Sequence, residues 1–208
     1  MRNDKSSLAP LTGLLFFILA IITFAVSGEP PDATDDSAQE IVDFYVDEDS
    51  SQMVSAVIAT IAGSLFVFFA GSLRRVLRDA EGPGGMLSAV AFAGAVIFAL
   101  GLALDSTITF ALADTADDID PAAVQALSAL WNNDFLPFAM GIQIFLLATG
   151  IVVVRSGGLP KWLGWVAILL AVIAVTPIGF ASFIGAGLFV ALVSVLLTMR
   201  GRTSPAAP

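Results

Sequence analysis

Read from its N-terminus, the chain sets long apolar runs against short polar breaks. Six such runs follow one another, at 8–27, 53–73, 86–104, 135–154, 162–175 and 180–199. An α-helix rises 1.5 Å per residue, so about 20 residues cross a hydrocarbon core of ~30 Å. The third run carries its pattern past Asp105 through Ile108-Thr109-Phe110-Ala111-Leu112, which predicts a helix extending to about residue 113. The fifth ends at Thr176-Pro177-Ile178-Gly179 with no charge before the sixth, so the two should be joined by a tight turn. Pro10 and Pro137 fall in first turns, where a missing N–H is tolerated. The pattern predicts an all-α polytopic membrane protein, a single domain built as a bundle of six transmembrane helices with two acidic outer loops.

The loops between the first two pairs of runs are acidic. Residues 28–52 hold Glu29, Asp32, Asp35, Asp36, Glu40, Asp43, Asp47, Glu48 and Asp49. Within them Ile41, Phe44 and Tyr45 recur at helical spacing, which predicts a short amphipathic helix on the membrane or over the bundle. The second loop, 105–134, holds Asp114, Asp117, Asp118 and Asp120. Asp120 stands as an N-cap before Pro121, so 122–130 should form a short helix leading into Trp131. Oxygen ligands for calcium are plentiful, but the stretch after Asp47 lacks the glycine an EF-hand loop requires, and a solvated acidic loop is the reading that fits.

Basic residues orient the bundle. Arg2 and Lys5 precede the first run, Arg74, Arg75 and Arg78 follow the second, Arg155 and Lys161 lie between the fourth and fifth, and Arg200 and Arg202 follow the sixth. Both acidic loops have none. The positive-inside rule then places both termini in the cytoplasm of a multi-pass cell (plasma) membrane protein. Trp162, Trp165 and Trp131, with Lys161, stand where interfacial anchors are expected. Ala25-Val26-Ser27 resembles a signal-peptide cleavage site, but the length of the first run favours a retained anchor.

Composition narrows the chemistry. Of 208 residues 57% are apolar, the mean hydropathy is +0.91, and 13% are charged, against about a quarter in a soluble domain. A soluble enzyme and a disordered chain are excluded. The net charge of −9 offers no basic footprint for a nucleic acid. With no Cys and no His, thiolate chemistry, disulfides, zinc proteolysis and His-ligated haem are excluded too. No cofactor, metal ion or catalytic residue is expected. The bilayer is the first partner. Small residues recur at Ala91, Ala95, Ala99 and Ala103, at Ser55, Ala59 and Gly63, and at Ala181, Gly185, Gly187 and Ala191. Such faces serve packing within the chain, or an interface with a second copy or another membrane protein; the abundance of Ala and Gly favours the first.

Polar residues near the bilayer are few. Asp105 and Asp134 mark the outer ends of the third and fourth runs, with Asn132 and Asn133 beside them and Gln143 deeper. On one continuous helix Asn132 and Gln143 would share a face, so Asp105, Asn132, Asp134 and Gln143 form the one polar stripe able to line an outward-facing cavity; the favoured alternative is that Asp105 and Asp134 cap helices at the interface and Gln143 hydrogen-bonds a neighbouring helix. Three functions stay open. The favoured one is a non-enzymatic membrane protein acting through interactions. The second is a small-solute or ion transporter or channel using the polar stripe. The third is a membrane enzyme using outer carboxylates for acid–base work.

The segment Arg155-Ser156-Gly157-Gly158-Leu159-Pro160-Lys161-Trp162-Leu163-Gly164-Trp165 is the most distinctive in the chain. Together with Phe44-Tyr45 and with Gly71-Ser72-Leu73-Arg74-Arg75-Val76-Leu77-Arg78, it resembles uncharacterised bacterial multi-pass membrane proteins of the domain-of-unknown-function family 4386 type. The likeness spans about residues 41–200. It implies a polytopic membrane protein without an assigned reaction and supplies no catalytic residues.

Overall fold

The computed structural model describes residues 9–203 apart from Pro177. Arg2, Lys5 and Pro177 lie outside the described residues, as does the side chain of Arg202. Among the described residues every regular element is helical: α1 (Thr12–Ser27), α2 (Ala38–Asp47), α3 (Asp49–Glu81), α4 (Leu87–Thr115), α5 (Pro121–Trp131), α6 (Phe135–Ser156), α7 (Lys161–Ile173) and α8 (Gly179–Thr203). A single 3₁₀ turn, Ala9–Leu11, leads into α1.

Phe66 of α3 is the centre of the bundle. Its ring lies 4.9 Å from Phe16 of α1, 5.0 Å from Phe98 of α4 and 5.1 Å from Phe145 of α6, tilted or edge-on to each. Edge-to-face pairs at these separations are favoured because the positive ring edge meets the negative face. α4 and α6 approach closely through glycines, α7 packs on α6, and α8 closes against α1. The small residues of α3 and α4 are spent on this packing: Ser55, Ala59 and Gly63 are buried, and Gly63 faces the backbone of Ala99.

Outside this core runs a belt of exposed apolar side chains, among them Leu15, Ile18, Phe24, Phe68, Leu100, Leu169 and Leu188. A soluble monomer does not sustain such a surface, and a lipid environment does. Five helical stretches are long and apolar enough to cross a membrane: Ala9–Ser27, Asp49–Glu81, Leu87–Thr115, Pro121–Ser156, which contains α6, and Gly179–Arg200. The protein is an all-α integral membrane bundle. The fifth expected span is less than a full crossing. α7 has 13 residues, about 20 Å at 1.5 Å each, and a turn joins it to α8. The pair is tied by the Ser182 hydroxyl, which donates to the Leu170 carbonyl at 2.7 Å.

The two ends of the bundle differ in sign. At one end the α6–α7 turn uses Gly157 and Gly158 at φ 88° and 81°, a left-handed conformation glycine enters freely. Gly158 sits against Val76 and Ala80 of α3, and its carbonyl accepts from Arg200 Nη1 at 2.6 Å. Three basic segments, on α3, the α6–α7 turn and α8, thus meet at one end. At the other end α3 and α4 outgrow their apolar runs. With 33 and 29 residues they measure about 50 and 44 Å, well beyond the ~30 Å of a hydrocarbon core. These extensions hold up an acidic cap.

Candidate functional site

The cap begins with α2, and its sequence fixes where that helix starts. Ser37 Oγ accepts from the Glu40 backbone N–H at 3.3 Å, and the Glu40 carboxylate accepts from the Ser37 N–H at 2.9 Å. This reciprocal capping box satisfies two donors that a helix end leaves unpaired. The Ser37 N–H, and after it the Ser37 hydroxyl, hold the Glu40 carboxyl below its ordinary value. Asp32 is held low in the same way by the hydroxyl and then the backbone N–H of Thr34. With its start fixed, α2 turns Ile41, Val42 and Tyr45 inward.

α5 starts at Pro121, where Asp120 Oδ1 accepts from the Ala122 N–H at 2.9 Å. Val124 and Ser128 are fully buried on one face, and Gln125 Nε2 donates to the Ala33 carbonyl at 3.0 Å, binding α5 to the loop before α2. Ile41, Val42, Tyr45, Leu112, Ala116 and Val124 form a second hydrophobic core, separate from the Phe66 cluster. The cap is therefore a small folded unit rather than a solvated loop. Its outer surface carries thirteen carboxylates in 28–52 and 114–120, and no basic residue occurs between Lys5 and Arg74 or between Arg78 and Arg155.

Beneath this core, side chains from four segments converge. Tyr45 comes from α2, Asp105 from α4, Ser128 and Trp131 from one face of α5, and Asp134 from the turn before α6. The Tyr45 hydroxyl faces Ser128 and lies within electrostatic reach of Asp105, the Trp131 indole N–H faces Asp105, and Asp105 lies within electrostatic reach of Asp134. Burial pushes the Tyr45 phenol well above its ordinary value; Ser128 opposes the shift and the Asp105 charge adds to it. Six buried side-chain polar atoms make no hydrogen bond among the described residues. Four of them gather here: Tyr45 Oη, Ser128 Oγ, Trp131 Nε1 and Asp134 Oδ2. Native interiors pair such groups, so their concentration in one place marks a polar site beneath an apolar lid.

The structure brings together only part of the expected stripe. Asp105 and Asp134 lie within electrostatic reach of each other, and Trp131, half-buried, faces Asp105. Asn132 ends α5, its N–H donating to Ser128 O at 2.9 Å. Gln143 lies in the third turn of α6, half-buried, its side chain without a hydrogen bond among the described residues. The shared face assumed for Asn132 and Gln143 needs one continuous helix, and a turn at 132–134 breaks it. Trp162 and Trp165 are exposed at the basic end beside exposed Lys161, consistent with interfacial placement. Tyr45 and Ser128 escaped sequence reasoning. Tyr45 is the one tyrosine of the chain and sits on an otherwise apolar helix face, a signal available in the sequence; nothing there placed it opposite Ser128. Among the described residues no three carboxylates converge as a metal cage. Comparison with protein-family models, curated proteins and solved structures returns no match.

Proposed function

We infer that the chain is a non-enzymatic, multi-pass plasma-membrane protein with cytoplasmic termini that acts by interaction, its acidic cap being the recognising element outside the cell. The observation that carries this reading is the cap itself. It is a folded unit with its own core, raised on α3 and α4, and it presents carboxylates without a single basic residue. A field of one sign attracts a partner of the other and repels its like, so the partner chemistry is a Lys/Arg-rich segment.

Protein in nanodiscs should bind a lysine-rich peptide at low ionic strength, ignore a glutamate-rich one, and lose affinity as salt rises through the range where the Debye length falls below ~10 Å. Equal affinity for both peptides would overturn the reading. The convergence of Asp105 and Asp134 favours a second reading, an outward-facing path for a small solute or ion. Solute flux through proteoliposomes is the result that would prefer it.

A further inference from the structure

We propose that Asp105 and Asp134, with the hydroxyls of Tyr45 and Ser128, form a binding site for a single hard divalent cation of the calcium class beneath the acidic cap. Two carboxylates held within electrostatic reach of each other and partly out of water repel unless one takes up a proton or a cation lies between them. A buried carboxylate that stays ionised is commonly balanced by Arg, Lys or His. This chain has no His, and all nine of its basic residues lie outside 6–73 and 79–154, the stretches that build the cap and its supports. No side chain of these stretches can therefore neutralise the pair, which leaves a proton or a cation from solution, and the unpartnered oxygens around it decide for the cation.

The donor set then decides which charge fits. Tyr45 and Ser128 are fully buried, their hydroxyl oxygens are unpartnered and lie beside each other, and the Tyr45 hydroxyl is within electrostatic reach of Asp105. Asp134 Oδ2 is buried and unpartnered as well. Every ligating atom is oxygen, with no nitrogen or sulfur, which selects hard ions over zinc, copper or iron. Two negative charges balance one divalent ion. Calcium accepts six to eight oxygens in flexible geometry, so two carboxylates, two hydroxyls and solvent suffice where a three-carboxylate cage is absent. Magnesium demands a near-ideal octahedron, which neutral hydroxyls from two different helices serve poorly. The Trp131 N–H, facing Asp105, would fix that carboxylate's orientation from behind, the role second-shell donors play at metal sites. The inference is independent of what the cap's outer surface binds.

Trp131 supplies the readout. In the full chain carrying Trp162→Phe and Trp165→Phe, Trp131 is the remaining indole. Calcium should change its emission saturably at constant ionic strength, and K⁺ in place of calcium should not. Asp134→Asn, an isosteric change, should weaken the midpoint by about tenfold or more, and Asp105→Asn should act alike. Tyr45→Phe should weaken it less, and the surface change Asp43→Asn should leave it untouched. Far-UV circular dichroism verifies that each variant is folded. The proposal is overturned by an unsaturable response, by a response that survives both carboxylate variants, by a response to Na⁺ alone, or by emission that follows pH and ignores calcium.

Discussion

Gly94 on α4 and Gly141 on α6 are packed back to back. A Cβ built on Gly94 would lie 2.9 Å from the Gly141 carbonyl oxygen, and one on Gly141 would lie 2.9 Å from that of Gly94. Nearer still is backbone: Phe145 N at 2.5 Å from the first and Phe98 N at 2.3 Å from the second. Neither contact can relax by a side-chain rotation, so this crossing requires glycine on both sides. Gly150 of α6 and Gly164 of α7 stand in the same reciprocal relation. α6 therefore holds its two neighbours by close backbone approach, the kind of packing that works in lipid, where apolar area alone gives helices no reason to associate.

The first prediction follows from that crossing. Gly141→Ala should destabilise the protein by about 1–3 kcal/mol, the usual cost of overpacking against a backbone that cannot yield. Gly71→Ala on α3 is the matched control, since its Cβ would meet only Phe92 at 3.9 Å. Thermal unfolding in detergent should separate the two clearly. Equal stability for both variants would show that α4 and α6 do not approach as described.

The second prediction concerns α1, whose first turn is capped from another helix. Leu11, at its N-cap position, provides no side-chain bond. Ser194 of α8 does so instead, its hydroxyl accepting from the Leu14 N–H at 3.1 Å and donating to the Pro10 carbonyl. Ser194→Ala should cost ~1 kcal/mol, as loss of a cap does. Hydrogen exchange should quicken at the first turn of α1 more than elsewhere in that helix.

The third prediction concerns pH and the cap. Glu40 is held below its ordinary value by Ser37, so its contribution to α2 is present above the unfolded value and is lost as pH falls through the lower, folded one. Amide exchange over Ala38–Asp47 should therefore accelerate on acidification through that range while α3 and α4 stay protected. Glu40→Gln can still accept from the Ser37 N–H but cannot titrate, so it should keep the helix and flatten the pH profile.

The fourth prediction is topological. The chain has no cysteine, so single cysteines report cleanly. Cysteines at Arg78 and Lys161 should label from the cytoplasmic side, and those at Asp36 and Asp118 from outside. Labelling of Asp36→Cys only after permeabilisation would invert the orientation.

These predictions also show which features the sequence carried. Helices announced themselves where one local rule governs them. Asp120 before Pro121 marks the start of α5, and Gly157-Gly158 marks the turn before α7, because capping and positive φ are properties of a few neighbouring residues. The separation of basic from acidic ends was legible for the same reason, since each basic cluster and each acidic loop is one local stretch of the chain. Partner choice was not. The alanine stripe of α4 drew attention at Ala91, Ala95, Ala99 and Ala103, yet the tightest contact runs through Gly94, because close approach depends on where another helix crosses and not on i, i+4 spacing alone. Asp105 and Asp134 could be named as outer polar residues, but Tyr45 and Ser128 reach them only through the packing of α2 on α5. The expected tie between Asn132 and Gln143 failed on a three-residue turn that the apolar pattern does not record.

Gln143 provides the last prediction, and it bears on the transport reading. It is the deepest amide of the expected stripe, lies in the third turn of α6, and its side chain forms no hydrogen bond among the described residues. An interhelical hydrogen bond in a membrane contributes ~0.6 kcal/mol on average, and Gln143 has none to lose. Leucine has a similar reach and favours lipid over water, whereas an unpaired amide in hydrocarbon is costly. Gln143→Leu should therefore leave the unfolding temperature unchanged or raise it. If Asp105 and Asp134 are the mouth of a path that continues past Gln143, the same substitution should abolish solute flux in proteoliposomes while the calcium response of Trp131 persists. If they are a closed site under the cap, wild-type and variant liposomes should be equally tight. We expect the tight liposomes; flux that disappears with Gln143→Leu at unchanged stability would establish a conduit in place of a binding protein.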